Sequence, residues 1–490
     1  MTSLEWQISG QRSLGSSREE GAFMSAINRV EQARALREEL KGKSVAVWGA
    51  ALSGIAAANC LSALGAEVSL SDLRSRESLG DLKQLDPRVT LYCGENRLGK
   101  AEILVPSPGL RPSLPPLQRA REAGVRIMSE VELGTRLSEA PIIAITGTDG
   151  KSTSTLFCHG LLQGLGRRAR AVGNIGDPIT AHALDASHDE ILVLEVSAFQ
   201  LWSAEQLPVE VSALTNIAED HHDYFDGDGA SYRAAKLRLF QLQHEAALAG
   251  KLSCSGRALF PTHQPLPLSP DRLTPLTVEL YGDSPAARWR ADGGGLFCGD
   301  ERLLEESWCQ RDGAHQARNL LLALAAVDGL GALGRPGDRP SNLAAVVAGL
   351  KTPPHRRELI RIYRGVRWIN DSKATNVHAA RVGLEGLEGS LLVIAGGVDK
   401  GLDLSELVEV LSTRARVVFL IGELAERLEH ALAGRCALRH VGHLEAAVAA
   451  AAEEAREGET VTLSPAASSF DQFSSFEARG DLFRALVEAL

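Results

Sequence analysis

The sequence predicts an α/β protein made of three units, each built on a mainly parallel sheet, and three observations carry that prediction. Short apolar runs alternate with stretches of helical spacing over most of the chain, which is how strand–helix–strand crossovers read. At 490 residues the chain exceeds one ordinary core and matches about three domains of roughly 150 residues each. Polar, glycine-rich turns follow several of the apolar runs, at the carboxyl ends of strands where open α/β sheets bind their ligands.

Residues 1–42 stand apart from this alternation. A polar, Ser- and Gly-rich stretch is followed by Ile27, Val30, Ala33, Leu36 and Leu40 at helical spacing. The expectation is a tail and one docked helix, with Met24 as an alternative start.

In residues 43–134, Ser44-Val45-Ala46-Val47-Trp48 reads as a strand and residues 52–64 as a helix; residues 68–71, 103–105 and 125–128 are further strands. Gly49-Ala50-Ala51-Leu52-Ser53-Gly54, with Asp72 at the end of the next strand, is close to a Rossmann fingerprint. Ala51 replaces the glycine that lets a pyrophosphate approach the backbone, so the turn favours a nucleotide-shaped ligand over NAD.

The second unit, residues 135–353, opens with the apolar run Ile142-Ile143-Ala144-Ile145 and continues through Ile191-Leu192-Val193-Leu194 to a helix over residues 314–327. Residues 252–304 are Pro- and Gly-rich and read as short hairpins inserted in this unit. In residues 354–490, four short strands at 368–369, 391–394, 417–421 and 460–463 are separated by helical patterns. That predicts a second Rossmann-like sheet.

Composition narrows the function. Hydrophobic residues make up 44% and charged residues 23%, which excludes disordered and fibrous classes. A formal charge of −10 argues against a general nucleic-acid binder. No apolar run approaches the ~18 residues of a membrane span, and the first residues lack an apolar leader core. The 7 cysteines form no C-x-x-C pair, so the expectation is a cytoplasmic protein in a reducing compartment.

The sharpest motif is Thr146-Gly147-Thr148-Asp149-Gly150-Lys151-Ser152-Thr153, directly after the Ile142–Ile145 run. A strand feeding a Gly-rich turn and then a helix aims backbone N–H groups and the helix dipole at one point, which suits a phosphate. Lys151 would put a charge on the β/γ-phosphates of ATP, and the Ser152 or Thr153 hydroxyl would help hold Mg²⁺. The first glycine of the longer phosphate-loop pattern is missing, because Ile145 stands there.

Other candidates are weaker one by one. Glu195 ends an apolar strand and so points into the ligand crevice, although strand-end glutamates are as often simply solvated. The run Asn216-Ile217-Ala218-Glu219-Asp220-His221-His222-Asp223 follows the strand at 211–214 and offers divalent-metal donors, though acidic loops are usually only solvated. Lys236, in a helical stretch, reads by itself as a surface lysine. In the third unit, the strands end in Asn370-Asp371-Ser372-Lys373-Ala374-Thr375-Asn376, in Gly396-Gly397-Val398-Asp399-Lys400-Gly401 and in Ser464-Pro465-Ala466-Ala467-Ser468-Ser469-Phe470. Any one could be turn chemistry, but three on one sheet edge suggest a second ligand face. Only ten lysines occur in the chain, and Lys151, Lys236, Lys373 and Lys400 fall within these motifs.

Together these residues, with His315…Asn319 and His355-Arg356, resemble the Mur ligases over residues 43–490. Those are ATP-dependent amide-forming enzymes of peptidoglycan synthesis. Gly397 to Gly401 and the run from Ser464 to Gly480 resemble the branch that adds D-glutamate to UDP-N-acetylmuramoyl-L-alanine. The resemblance implies that Gly147, Thr148, Asp149, Gly150, Lys151, Ser152 and Thr153 hold ATP. Asn319, Arg356, Asp371 and Lys373 would also contact the nucleotide. It implies that Ser152, Glu195, His221 and a carbamylated Lys236 bind Mg²⁺, with two ions expected, and that Lys151, Glu195, His221 and Lys236 are the catalytic set. Leu52, Ser53, Asp72 and Arg74 would hold the uridine end, with Asn174 nearer the diphosphate and sugar. His355, Thr375, Lys400, Ser469 and Phe476 would form the D-glutamate pocket. The implied protein is a monomer without nucleic-acid or membrane partners.

Two departures matter. Gln316 and Asp149 stand where the family pattern has asparagines, which touches the adenine contact and the charge at the phosphates. The rival readings are an oxidoreductase on the first unit, an ATP-gated binding protein, and a sibling or folate-type ligase with a different amino acid.

Overall fold

In the computed structural model, residues 16–79, 82–111, 113–218, 229–293, 295–305, 314–352, 354–399, 401 and 403–490 are described, with side chains from residue 28 in the first helix and from residue 316 in the helix starting at 314. Of the expected site residues, His221 and Lys400 lie outside the described residues, as does the His315 side chain.

The first part runs α1 (Ser16–Leu40), β1 (Ser44–Trp48), α2 (Leu52–Ala63), β2 (Glu67–Asp72), β3 (Thr90–Cys93), β4 (Ile103–Pro106), α3 (Pro115–Glu122), β5 (Arg126–Ile127) and α4 (Glu130–Leu137). Its five strands pair in parallel in the order β3-β2-β1-β4-β5. The order reverses between β1 and β4, so the ligand crevice of such a sheet opens at their carboxyl ends. Gly49 after β1 has φ +101, and a Cβ there would meet Ser107 Cβ, after β4, at 2.6 Å. A Cβ on Gly54 would sit 1.8 Å from Gly49 O, which is why α2 can start so close to the strand end. The spacing of Ala33, Leu36 and Leu40 puts them in one buried row of α1, and Leu36 and Leu40 join the first sheet's core.

The central part continues with β6 (Ile142–Thr146), α5 (Lys151–Gly164), β7 (Arg168–Gly173), β8 (Glu190–Glu195), α6 (Ala198–Leu201), β9 (Val211–Leu214), α7 (Gly229–Leu248) and β10 (Arg257–Pro261). Then follow β11 (Thr277–Gly282), β12 (Trp289–Asp292), β13 (Gly295–Cys298), β14 (Glu301–Leu304), α8 (Ala314–Gly329) and α9 (Leu343–Ala348). All nine strands form one sheet in the order β14-β13-β12-β11-β10-β9-β6-β8-β7. Residues 252–304 therefore extend this sheet: β10 and β11 add in parallel, and only the β12–β13–β14 meander is antiparallel. Every residue of β6, β8 and β9 is buried, as strands covered by helices on both faces must be.

The last part is β15 (Glu358–Tyr363), β16 (Val366–Asn370), α10 (Val377–Glu385), β17 (Leu391–Gly396), α11 (Ser405–Arg414) and β18 (Ala415–Ile421), then α12 (Ala425–Leu432), β19 (Ala437–Gly442), α13 (Leu444–Glu454), β20 (Thr460–Leu463) and α14 (Phe476–Glu488). Its sheet has the order β15-β16-β20-β17-β18-β19, parallel except for β15. By compactness the chain divides into Met1–Lys351, which holds the first two sheets, and Thr352–Leu490. Among the described residues no helix is long and apolar enough to cross a membrane.

Candidate active site

At the carboxyl edge of the central sheet, β6, β8 and β9 lie side by side, with Ile145 in register with Glu195 and Thr146 with Leu214. The turn after β6 is held from β9. Thr148 N–H and Asp149 N–H both donate to Asn216 Oδ1, at 3.2 and 2.9 Å. Gly147 has φ +149 and passes so close to Thr215 that a Cβ would come 1.8 Å from its hydroxyl. Gly150 caps α5 in the left-handed region at φ 81. The N–H groups of the first turn of α5 therefore face outward from the sheet edge, as an anion site requires.

Lys151 folds back onto this turn, its Nζ donating to Thr148 O at 2.8 Å. Asn319 of α8 approaches from the other side. Its Oδ1 accepts from Ser154 Oγ at 3.3 Å, and its Nδ2 faces Gln316 Oε1 at 3.5 Å. The Gln316 departure thus has a local consequence, because this residue orients the Asn319 amide.

Lys236 is a correction to the residue-by-residue reading. It is 2% exposed, far from a surface lysine. Its Nζ donates to Gly147 O at 2.7 Å and lies 4.3 Å above the Tyr232 ring. Tyr232 precedes it by one helical turn, so the pair shares a face of α7. That spacing was legible, yet Tyr232 was given no role from sequence, and Asn216 entered only as the first residue of the acidic run.

Glu195 is 1% exposed at the end of β8. Asn174 Nδ2 donates to its Oε1 at 2.8 Å, so Asn174 stands on the carboxylate rather than apart from it. Glu195 Oε2 is buried with no partner among the described residues. A buried carboxylate oxygen costs free energy unless hydrogen-bonded or bound to a cation, so this oxygen fits a divalent metal. Among the described residues no cluster of three His, Cys, Asp or Glu side chains could hold a metal.

In the first sheet, Asp72 at the end of β2 accepts from Ala50 N–H at 2.8 Å and from Arg74 Nε and Nη2, each at 2.9 Å. The Arg74 guanidinium, aided by backbone N–H groups, holds the Asp72 carboxyl well below the usual carboxylate range. Leu52 is 72% exposed at the start of α2, and Ser53 is half-buried beside it.

In the last sheet, buried Arg479 of α14 clamps two strand-end turns: its guanidinium donates to Ser372 O at 2.9 Å and to Ala467 O at 3.1 Å. Asp371 is 5% exposed, and burial pushes its carboxyl up to about 7 despite the nearby Arg356 charge and the Arg357 N–H. The hydroxyls of Ser464, Ser468 and Ser469 are buried with no partner among the described residues. Thr375, Val398, Asp399, Arg427 and Ser468 line a small hollow here.

His355 does not line that hollow. It is 4% exposed, its Nδ1 accepts from Asn370 Nδ2 at 3.0 Å, and its Nε2 faces Asp481 at 3.4 Å. Phe476 packs edge-on against the His355 ring at 6.5 Å, and Lys373 Nζ lies 5.6 Å from the Phe476 ring.

Three family descriptions match the chain: "Mur ligase MurD-like, N-terminal domain" over residues 43–129, "Mur ligase middle domain" over 145–250 and "Mur ligase, glutamate ligase domain" over 355–467. A UDP-N-acetylmuramoylalanine–D-glutamate ligase from Myxococcus xanthus is 37% identical over 469 residues, covering 92% of this chain and 99% of the relative. Its counterpart from Chlorobium limicola is 33% identical over 483 residues with the same coverage. Among solved structures, the UDP-N-acetylmuramate–alanine ligase of Thermotoga maritima matches with a TM-score of 0.58 at 15% identity, covering 91% of this chain and 99% of that one. A bifunctional folylpolyglutamate synthase/dihydrofolate synthase from Yersinia pestis, complexed with AMPPNP and Mn, matches at 0.51 and 19%, covering 71% and 89%.

Proposed function

The chain belongs to the Mur ligase family, and from that premise we propose how its three sheets divide the work. The protein is an ATP-dependent amide-forming ligase of peptidoglycan synthesis, joining UDP-N-acetylmuramoyl-L-alanine to D-glutamate through an acyl phosphate and releasing ADP and phosphate. Residues 43–134 take the nucleotide sugar, 135–353 take ATP and 354–490 take D-glutamate. The observation that carries this reading is the central edge: the turn after β6 lies beside the end of β8, where Glu195 Oε2 has no partner among the described residues, and the buried Lys236 amine of α7 donates to Gly147 O of that turn.

The chemistry follows from the leaving group. A carboxylate cannot expel oxide, so the substrate carboxylate first takes the γ-phosphoryl group, and the D-glutamate amine then displaces phosphate. The first step brings two anions together and needs positive charge and oriented N–H groups in place beforehand. Lys151 turns from Thr148 O to the β/γ-phosphates, and the N–H groups of Gly150 to Thr153 cradle them. Asn319, Arg356, Asp371 and Lys373 hold the rest of the nucleotide.

A divalent cation, when bound, neutralises phosphate oxygens against the substrate carboxylate. Glu195 Oε2 and Ser152 are the donors present that fit it. His221 and a carbamate on Lys236 would complete a pair of Mg²⁺ sites. Carbamylation would exchange the Lys236 ammonium for a carboxylate-like group and keep one N–H to donate toward Gly147 O. Leu52, Ser53, Asp72 and Arg74 grip the uridine end, and Asn174 keeps the Glu195 carboxylate turned. Thr375, Lys400, Ser469 and Phe476 hold D-glutamate, with His355 acting behind them through Asn370. The finer reading is of a cytoplasmic monomer, which sedimentation velocity checks.

The test is ATP-dependent phosphate release with UDP-N-acetylmuramoyl-L-alanine, Mg²⁺ and bicarbonate, across D-Glu, L-Glu, L-Lys, meso-diaminopimelate and D-Ala. Release with D-Glu alone, with a new amide by mass, is the expected result. Release with another amino acid overturns the D-glutamate assignment, and release with none overturns the ligase reading.

A further inference from the structure

The helix α1 precedes the residues matched by the first-domain description, which begin at 43, and it does more than cover a core. Leu36 and Leu40 are built into the core of the first sheet, while the polar side chains of α1 reach the central sheet. Asn28 donates to Gly250 O, beyond α7. Arg37 donates to Ala183 O, in the loop between β7 and β8, at 3.3 Å, and to Leu137 O at 2.8 Å. Arg29 donates to Thr135 O at 3.1 Å and to Pro208 O at 2.9 Å. Thr135 and Leu137 end α4, so two arginines cap its last carbonyls, where positive charge is favoured.

Arg29 also forms an ion pair with Glu210 at 2.9 Å, and both side chains are almost fully buried. Glu210 stands at the amino end of β9. Its other oxygen accepts from Ile142 N–H at 2.6 Å, and Ser253 donates through both N–H and hydroxyl to the oxygen that Arg29 faces. Ile142 is the first residue of β6, the strand that delivers the phosphate turn. The contact therefore joins three things: the appended helix, the end of α4 at Thr135, and the root of the ATP-binding strand at Ile142.

We propose that α1 is a brace holding the nucleotide-sugar sheet at a set angle to the ATP sheet, with Arg29 a positioning residue for the ligase reaction. The proposal rests on the functional reading above. The substrate is gripped by its uridine end on one sheet and reacts at its carboxylate on the other, so a small change of angle displaces the carboxylate while leaving the ATP site itself intact. Arg29 acts through Glu210: the buried carboxylate pins β6 only while a cation balances it.

The experiment compares Arg29→Met, Arg29→Lys and Arg37→Met in the full chain. In Arg29→Met the KM for UDP-N-acetylmuramoyl-L-alanine rises about tenfold and kcat falls by a similar factor, while the KM for ATP stays within about twofold. Arg29→Lys restores part of the loss, because the charge returns without the forked geometry. Arg37→Met, at a half-exposed site, shifts the same KM by a smaller factor and serves if Arg29→Met does not fold. Amide hydrogen exchange on the ligand-free protein is the second readout, with faster exchange at residues 135–142 expected in Arg29→Met.

Unchanged kinetics in a folded Arg29→Met protein overturn the brace. So does a rise of both KM values together, or a loss of activity that only tracks the folded fraction. If the parent protein released no phosphate with any amino acid, the functional reading would fail, and the exchange experiment would still decide the brace.

Discussion

Two aspartates at strand ends in two of the sheets live in opposite electrostatic states. Asp72, the last residue of β2, has Arg74 forked onto it, and that guanidinium holds its carboxyl below the usual range. Asp371, after β16, has one backbone N–H from Arg357 at 3.1 Å, and burial carries it to about 7. Both stand at the carboxyl end of a strand one place in from a sheet edge, so that location alone does not set the charge. What differs is whether a cation reaches the carboxylate and whether water does. Arg74 is two residues along an exposed loop and can fold back; Asp371 is enclosed by its own turn and by Gly383, where a Cβ would come 2.5 Å from Oδ2. Asp72 is a fixed anion, whereas Asp371 changes charge near neutrality.

Glu195 sharpens this contrast most strongly, since it is buried like Asp371 and hydrogen-bonded like Asp72. Glu195→Gln keeps the shape and removes the carboxylate charge, including that on Oε2, which has no partner among the described residues. Phosphate release should fall on the order of 10³-fold in kcat, about 4 kcal/mol of transition-state stabilisation, measured under saturating ATP. A loss below tenfold would mean that Glu195 is another structural carboxylate.

The Asp371 effect is next in size and is read in stability against pH. Its folded value lies above the unfolded value of about 3.9, so the stability it allows is complete below that value and is lost as pH rises through about 7. Denaturation of Asp371→Asn and parent between pH 5 and pH 8 should show the variant gaining over the parent by up to a few kcal/mol as pH rises. A gap that stays constant over that range would break the contrast between the two aspartates.

Asp72→Asn should act in the opposite direction and more weakly. Asp72 is depressed, so its contribution is present above about pH 4 and lost only in more acidic solution. At neutral pH the lost Arg74 fork should raise the KM for the nucleotide sugar about tenfold with kcat little changed. Gln316→Asn should give the smallest effect. The shorter side chain withdraws from an Asn319 contact already 3.5 Å long, and the KM for ATP should move by about twofold or less.

Much of this was legible in the chain. The apolar runs marked most strands of the three sheets, because buried parallel strands leave no room for polar residues on either face. The run Gly147 to Thr153 marked the tight turn from β6 into α5, since few residue types permit the backbone at Gly147 and Gly150. Lys236 was not legible as buried, because its carbonyl partner Gly147 lies 89 residues away. Residues 252–304 were read as inserted hairpins, yet β10 and β11 extend the sheet in parallel. Pairing between distant strands leaves little trace in local periodicity. His355 was expected in the D-glutamate pocket, and its packing against Asn370 and Gly480 buries it away from the hollow lined by Thr375 and Ser468.

By itself the sequence determined the class of the fold, the order of its elements and the chemical types available at each strand end, because these follow from local periodicity and from turn chemistry. Only the tertiary structure decided which of those side chains are charged, paired or idle. It placed Asn174 on Glu195, Arg74 on Asp72 and Arg29 on Glu210, and left Asp371 enclosed with no salt bridge among the described residues. The reason is physical. A residue's charge state depends on the water and counter-charges around it, and in a folded chain those come from segments that no local pattern names.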